Sequence, residues 1–251
     1  MPTSKHALKS DAAVQRSPAT LATTVYDRLR ADILAGELKP GYKLRIEFLG
    51  RRYRTGHIPL REALNRLSSD GLVERRDQRG FSVAPVSAAD LRELTKARCV
   101  VEGAALGESI AARSSAWEEG MVLAFHRLSR TPRSQSRTQY KPNPQWEELH
   151  RDFHRSLIAA CGSRWLSNFC MQLADQSYRY RQLAFKQVFP LRNDTDGHRA
   201  IMQAAIDGDA GKAVRLLQAH LRFTADIILR DGQALDAAPL TTARRTATRK
   251  K

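Results

Sequence analysis

Apolar residues recur at helical spacing through the first third of the chain. The first helix begins at Leu21, stops at Gly36 and carries its apolar positions on one face: Val25, Leu29, Ile33 and Leu34. Two further helices fit Ile46–Tyr53 and 59–70, the latter with a proline in its first turn. Two short strands at 72–76 and 80–84 flank a polar turn. This order of elements predicts a winged helix-turn-helix domain at 21–86.

The pattern of apolar positions changes after Pro85. Ser87 can cap a long helix whose apolar stripe is Leu91, Leu94, Val101 and Ala105. Further helical patterns cover about 115–130, 145–161, 163–187, 195–207 and 209–231. Because none of these segments alternates with period two, residues 87–231 predict an all-α antiparallel helical bundle. The predicted fold class is therefore mainly α, with polar, disordered tails at 1–20 and 232–251, the second of them basic.

Composition narrows the function class only partly. The 251 residues include 42 Lys+Arg against 26 Asp+Glu, a net charge of +16, which favours a polyanionic partner without distinguishing DNA from RNA or an anionic membrane. No run of 18 apolar residues predicts a transmembrane helix, and the first residues lack the apolar segment of a secretory signal. Three cysteines are too few for a disulfide framework, so we expect free thiols in a reducing cytoplasm.

The third helix has a polar face that suits a major groove. His57, Arg61 and Asn65 lie opposite the apolar stripe, and Arg and Asn can bind guanine and adenine in bidentate fashion. The N-terminal part of such a helix contacts bases in helix-turn-helix proteins. We therefore predict base contacts by His57, Ile58, Arg61 and Asn65. The residues placed to meet phosphates or a minor groove are Arg45, Arg52, Arg75, Arg76, Arg79 and Gly80. The alternative is an amphipathic helix with arginine on its solvated face.

Particular motifs resemble a known family. The segments LRADILAGELKPGYKLR, PLREALNRLSSDGLV and RGFSVAPVS are similar to the GntR family of bacterial transcription regulators, and the helical half resembles its ligand-binding FCD domain. HRDFHRSLIAACGS and the QSYRYRQL run resemble the carbon-starvation-induced-regulator subgroup. The resemblance spans about residues 21–231. The family commonly has Ser-Arg-Thr where this chain has Gly56-His57-Ile58, so the operator sequence does not carry over, although Arg61 keeps its place.

Four of the seven histidines stand at positions of interest in the helical half: His150, His154, His198 and His220. The first two are one turn apart on one helix, about 40° apart in projection, so both imidazoles can reach one ion. His198 opens a later helix, and His220 lies late in the next one, which should fold back antiparallel. Four converging imidazoles would form a divalent metal site. The alternative is that His198 caps a helix end and His220 is half buried.

The resemblance to FCD domains implies more about these positions. In that family a residue four before a Phe-His histidine, that histidine and two later ones bind a metal, and they match the four histidines above. The first is often Asp in the family, so His150 makes the site less anionic; we expect zinc or nickel. The resemblance also implies a small carboxylate effector, held by an arginine at the position of Arg98, beside Glu102. Of Arg179 and Arg181 only one should face the pocket, and we favour Arg181. The subgroup points to glutarate.

Two other functions compete with this interpretation. A metal-dependent hydrolase could use the histidines, but Arg151 stands where zincin helices place a general-base glutamate, and four protein ligands leave tetrahedral zinc no open position. A non-specific basic DNA-binding protein would explain the charge alone. We predict instead a ligand-responsive regulator, a repressor rather than an enzyme. It should bind a palindromic operator in double-stranded DNA as a homodimer, without a membrane partner, in the bacterial cytoplasm and at the nucleoid.

Overall fold

The computed structural model describes residues 20–76, 79–136, 138, 141–185 and 194–231. Within them the elements follow in this order: α1 Leu21–Leu34, β1 Lys43–Leu44, α2 Ile46–Tyr53, α3 His57–Ser69, β2 Val73–Arg76, β3 Gly80–Val83, α4 Ala88–Ala111, α5 Ser115–Arg130, α6 Pro144–Leu157, α7 Arg164–Phe185, α8 Asp194–Ile206 and α9 Ala210–Asp231. The predicted tails lie outside the described residues, apart from Thr20, which caps α1 by accepting a hydrogen bond from Thr23 N.

The N-terminal part is a three-helix unit with a small antiparallel sheet. The strand order is β1-β3-β2, and Val73 lies opposite Val83 in the register of the hairpin. Helices α1 and α3 pack together over a core that also includes the sheet. Its most deeply buried members are Leu29, Ile33, Leu49, Leu60, Ala63, Leu64, Leu67 and Val83. Burial of these side chains holds α3 in place and leaves its opposite face in solvent.

The second part is an all-α bundle organised around α4. That helix packs against both α7 and α9, while α5 packs on α6 and α8 on α9. Ser87 caps α4 as predicted, because its Oγ accepts a hydrogen bond from Asp90 N at 3.0 Å. The apolar core includes Leu106, Met121, Phe153, Ile201, Ala205 and Leu217. The mainly α fold class predicted from the sequence is thus confirmed, and no helix among the described residues could cross a membrane.

Two details differ from the sequence-based expectation. Helix α3 begins at His57, two residues before Pro59, because extended Gly56 (ψ 172°) serves as its N-cap. Strand β1 was not predicted: its two residues are too short for a period to register, and β3 pairs with it only in the folded chain. Both differences are local and leave the helix-turn-helix order unchanged.

Helix α7 connects the two parts. Its Gln176 donates from Nε2 to the carbonyl of Asp70 at 2.9 Å, and Asp70 is the C-cap of α3. Arg179 donates to the carbonyl of Ala84, and the hydroxyl of Tyr180 accepts from Ser87 N at 3.2 Å. These bonds attach the end of α3 and the start of α4 to the same helix of the bundle.

Candidate metal centre and DNA-facing helix

The exposed face of α3 carries the side chains predicted to contact bases. His57, Arg61 and Asn65 are exposed, and Ile58 is 82% exposed. Arg61 has no ion-pair partner among the described residues. The face is therefore free to meet an external partner, and Ile58 could contact a thymine methyl group there.

The flanking residues differ in how available they are. Arg45 precedes α2 and is exposed, and Arg79 with Gly80 is exposed at the hairpin turn, where Gly80 has a φ of 80°. Arg52, by contrast, donates to Asp32 Oδ2 at 2.7 Å, and the Tyr53 hydroxyl bonds to the same carboxylate atom at 2.6 Å. A phosphate contact by Arg52 would have to replace this internal ion pair. Arg45 and Arg79 could contact a phosphate without breaking a pair of this kind.

Three helices bring the four predicted histidines together in the bundle. His150 and His154 project from α6, His198 from α8 and His220 from α9. One ring nitrogen of each lies within 4.8 Å of the corresponding nitrogens of the others. The ring centroids of His198 and His220 are 4.5 Å apart, and those of His150 and His154 are 4.6 Å apart. The alternative of a capping and a half-buried histidine is wrong, because His198 lies in the second turn of α8 and His220 is only 8% exposed.

The chemistry of this cluster fits a divalent cation. Burial, and next the charges of neighbouring groups, lower the pKa values of His150 and His154 well below 6.5, so both rings are neutral ligands at neutral pH. Both ring nitrogens of His154 are buried without a hydrogen-bond partner. Nitrogens around a tetrahedral zinc ion lie about 3.4 Å apart, so the four histidines would have to draw together by up to about 1.4 Å to bind it.

His150 is held from two sides. Its ring stacks on Trp146 at a centroid distance of 4.7 Å and an interplanar angle of 19°. Nη1 of Arg181 lies 3.2 Å from Nδ1 of His150, and Nη2 donates to Glu147 Oε2 at 2.8 Å. Because a guanidinium can only donate, Nδ1 is the acceptor and its lone pair is engaged in this contact. A cation at Nδ1 would require Arg181 to turn toward Glu147 or another anion.

Arg98 and Glu102 form a second charged pair close to the histidines. Nε of Arg98 lies 2.6 Å from Oε1 of Glu102, and its Nη1 donates to Ser177 Oγ on α7 at 2.8 Å. The two side chains are only 10% and 6% exposed. The alternative of an ordinary surface pair is therefore wrong, since a surface pair would be largely solvated. A buried pair of this kind must be compensated by its own hydrogen bonds or by a ligand.

These groups line one cavity of about 300 Å³, at the small end of the range for ligand pockets. Its wall includes His150, His154, Arg98, Glu102 and Arg181. Arg179 points elsewhere, toward the carbonyl of Ala84 in the linker between the two parts. The structure thus brings the predicted effector residues and two of the histidines to one pocket, with Arg181 rather than Arg179 in its wall.

Sequence reasoning missed several residues of this site. Glu147, 3% exposed, lies one turn before His150 and pairs with Arg181, a position that the i, i+3 spacing could have indicated. The ring of Trp146 stacks on His150, and the hydroxyl oxygen of Ser177 accepts a hydrogen bond from Arg98. Arg30 and Asp175 also line the cavity and form an ion pair with each other, although they are separated by 145 positions in sequence. No local pattern could have predicted that last contact.

Comparison with known proteins agrees with this architecture. The family model for bacterial regulatory proteins of the GntR family matches residues 21–83, and the model for the FCD domain matches 93–223. The HTH-type transcriptional regulator BphR of Paraburkholderia xenovorans is 37% identical over 213 residues, covering 85% of this chain and 87% of that protein. The HTH-type transcriptional repressor GlaR of Escherichia coli is 31% identical over 207 residues, covering 81% of this chain and 93% of that protein.

Solved structures have the same fold. The Escherichia coli protein McbR/YncC superposes with a TM-score of 0.70 at 19% identity, covering 84% of this chain and 98% of that one. A GntR-type regulator from a Rhodococcus species has a TM-score of 0.64 at 22% identity, covering 83% of this chain and 97% of that one. At this identity the likeness concerns the fold and leaves the ligand open.

Proposed function

Because this chain belongs to the GntR family of bacterial regulatory proteins and carries an FCD domain, we propose that it is a repressor controlled by a metal-dependent carboxylate site. It is a transcription regulator rather than an enzyme, as the family and its relatives indicate. The proposal assigns DNA binding to 21–86, and effector binding and dimerisation to 87–231. The observation that carries it is the convergence of four histidines in one cluster, two of which line one pocket together with two buried arginines.

The proposed DNA contact follows from the exposed face of α3. His57, Ile58, Arg61 and Asn65 would enter a major groove, with Arg45, Arg79 and Gly80 beside the backbone. Two copies related by a two-fold axis would bind the half-sites of a palindrome spaced by the helical repeat of DNA. This function places the protein in the cytoplasm, at the nucleoid when bound to its operator.

The proposed metal ligands are His150, His154, His198 and His220. Imidazole donors suit zinc or nickel, and such an ion would supply a Lewis-acidic centre for a carboxylate oxygen when its coordination number exceeds four. In the chain itself, Arg181 would release Nδ1 of His150 and keep its bond to Glu147. Its guanidinium would then be available to an anion at the edge of the cluster.

A small carboxylate fits the remaining chemistry of the pocket. Arg98 and Arg181 are both buried and each is neutralised by one carboxylate, Glu102 and Glu147 respectively. A ligand carboxylate could share these guanidinium groups, whose planar forks match its geometry. The cavity volume of about 300 Å³ favours a ligand of few atoms. We propose a short dicarboxylate, with glutarate as the first candidate.

The proposed control is a population shift. Ser177 of α7 contacts Arg98 in the pocket, while Gln176, its neighbour, bonds to the carbonyl at the end of α3. Effector binding that favours another position of α7 would change how the two copies of α3 are presented, and the dimer would no longer fit both half-sites. The effect would be relief of repression.

Fluorescence anisotropy tests this function on DNA from upstream of the protein's own gene. The metal-loaded protein is titrated against that DNA and a scrambled duplex at about 150 mM salt, with and without glutarate. Preference for the upstream DNA that glutarate weakens supports the proposal. Equal binding to both duplexes that collapses between about 50 and 200 mM salt would favour the non-specific basic protein instead.

A further inference from the structure

The effector pocket is not built from the bundle alone. Arg30 lies on α1, in the part of the chain that carries the DNA-facing helix, and yet it lines the same cavity as His150, Arg98 and Arg181. We propose that Arg30 is a ligand-binding residue: the far carboxylate of a dicarboxylate pairs with its guanidinium in place of Asp175. This inference rests on the proposed function, because it assigns one more contact to the same ligand.

Arg30 pairs with Asp175 of α7, and the pair is only partly buried. The two side chains are 28% and 21% exposed, against 10% and 6% for Arg98 and Glu102. An ion pair that retains contact with solvent is weak, and its acid can be exchanged for another at small cost. Asp175 therefore occupies the position that the ligand carboxylate would take.

The charges of the pocket favour a ligand with two anionic ends. Arg98 and Arg181 are the buried arginines of its lining, and Arg30 is the one that α1 contributes. Arg151 and Arg155 of α6 also line the cavity. A monocarboxylate could satisfy the buried arginines only. A dicarboxylate lying along the cavity could reach Arg30 as well, so the second carboxylate would select for the ligand and bring α1 into contact with it.

Replacement of Asp175 by a ligand carboxylate at Arg30 would affect the DNA-facing helix α3 through a few direct contacts. Asp175 precedes Gln176, which donates to the carbonyl of Asp70 at the end of α3. The carboxylate of Asp70 accepts a hydrogen bond from Tyr26 of α1 at 2.6 Å, one turn before Arg30. Helices α1, α3 and α7 thus meet at the place where the ligand would compete with Asp175 for Arg30. The DNA-binding part would sense the ligand directly rather than through the bundle alone.

Calorimetric titration of the full-length, zinc-loaded protein tests this contact. The ligands are glutarate and butyrate, which differ by one carboxylate, and the variants are Arg30→Gln, Asp175→Asn and the control Arg28→Gln on the same helix. Arg28 is exposed and lies over the ring of Tyr53, away from the cavity. Circular dichroism and thermal melting establish that each variant is folded.

The contact predicts opposite effects of the two main variants. Arg30→Gln should weaken glutarate binding about tenfold, equivalent to about 1.4 kcal/mol, and leave butyrate binding within about twofold. Asp175→Asn should strengthen glutarate binding because it frees the guanidinium, and the control should match the wild type. Unchanged glutarate affinity in Arg30→Gln, or a similar loss of glutarate affinity in Arg30→Gln and Asp175→Asn, would overturn this inference and leave the proposed function standing. A wild type that binds neither acid would overturn the proposed effector class together with it.

Discussion

Removal of two metal ligands should abolish a metal-dependent gain in thermal stability. The double substitution His154→Ala and His220→Ala takes one imidazole from α6 and one from α9. A ligand bound only by the folded state stabilises it by RT ln(1 + [L]/Kd), about 2.7 kcal/mol at 100 times Kd. Each kcal/mol moves the melting temperature of a chain of this size by roughly 2–4 °C. Zinc or nickel at that excess should therefore raise the wild-type Tm by roughly 5–11 °C.

Differential scanning calorimetry of protein first dialysed against a chelator measures this difference. The double variant should melt at one temperature with and without added metal, because two remaining imidazoles bind a divalent ion far more weakly than four. His126→Ala is the matched control, since His126 is exposed on α5 outside the cluster, and it should keep the full shift. A wild-type Tm indifferent to both metals, or an undiminished shift in the double variant, would refute the assignment of the site.

Three further effects follow from the structure. Arg61→Ala should weaken operator binding by about 10- to 100-fold, the equivalent of about 1.4–2.7 kcal/mol, while the exposed control Arg127→Ala leaves the anisotropy titration unchanged. Equal affinities of wild type and Arg61→Ala would remove Arg61 from the DNA interface. In chelator-treated protein the free energy of unfolding should fall as the pH drops below 6.5. Burial lowers the pKa values of His150 and His154 in the folded protein, so these rings take up protons in the unfolded chain but stay neutral in the folded one. Urea titrations between about pH 5 and 8 measure this slope, and its absence would contradict the reasoning. Tyr180→Phe removes the hydroxyl that accepts from Ser87 N and donates to Asp90 Oδ2, and it should cost about 1 kcal/mol or more of unfolding free energy in urea. An unchanged midpoint would mean that these two bonds contribute nothing.

Most of the fold could be predicted because local chemistry determines it. The apolar stripe on α3 and the cap at Ser87 depend on residues within one or two turns of each other, and the structure has both. The start of α3 was harder to place. Gly56 has no side chain to mark it as an N-cap, so the position of Pro59 suggested a helix that began later than it does.

The candidate site was predictable only where its residues share a helix or match the family's motif. His150 and His154 are one turn apart on α6, and the resemblance supplied the two later histidines. The burial of Arg98 with Glu102 depends on how α4 packs against α7, which sequence spacing does not determine. The contact of Arg30 with Asp175 joins two domains, and it becomes visible only when both are folded together.

In the proposed mechanism, operator DNA and the carboxylate compete by favouring different conformations of the protein. Such coupling is reciprocal: if glutarate weakens operator binding by a given factor, the operator must weaken glutarate binding by the same factor. Calorimetric titration of glutarate into the metal-loaded protein, alone and saturated with operator DNA, measures this directly. The DNA-bound protein should bind glutarate more weakly, by the factor found in the anisotropy experiment. Equal affinity in the two states would contradict it.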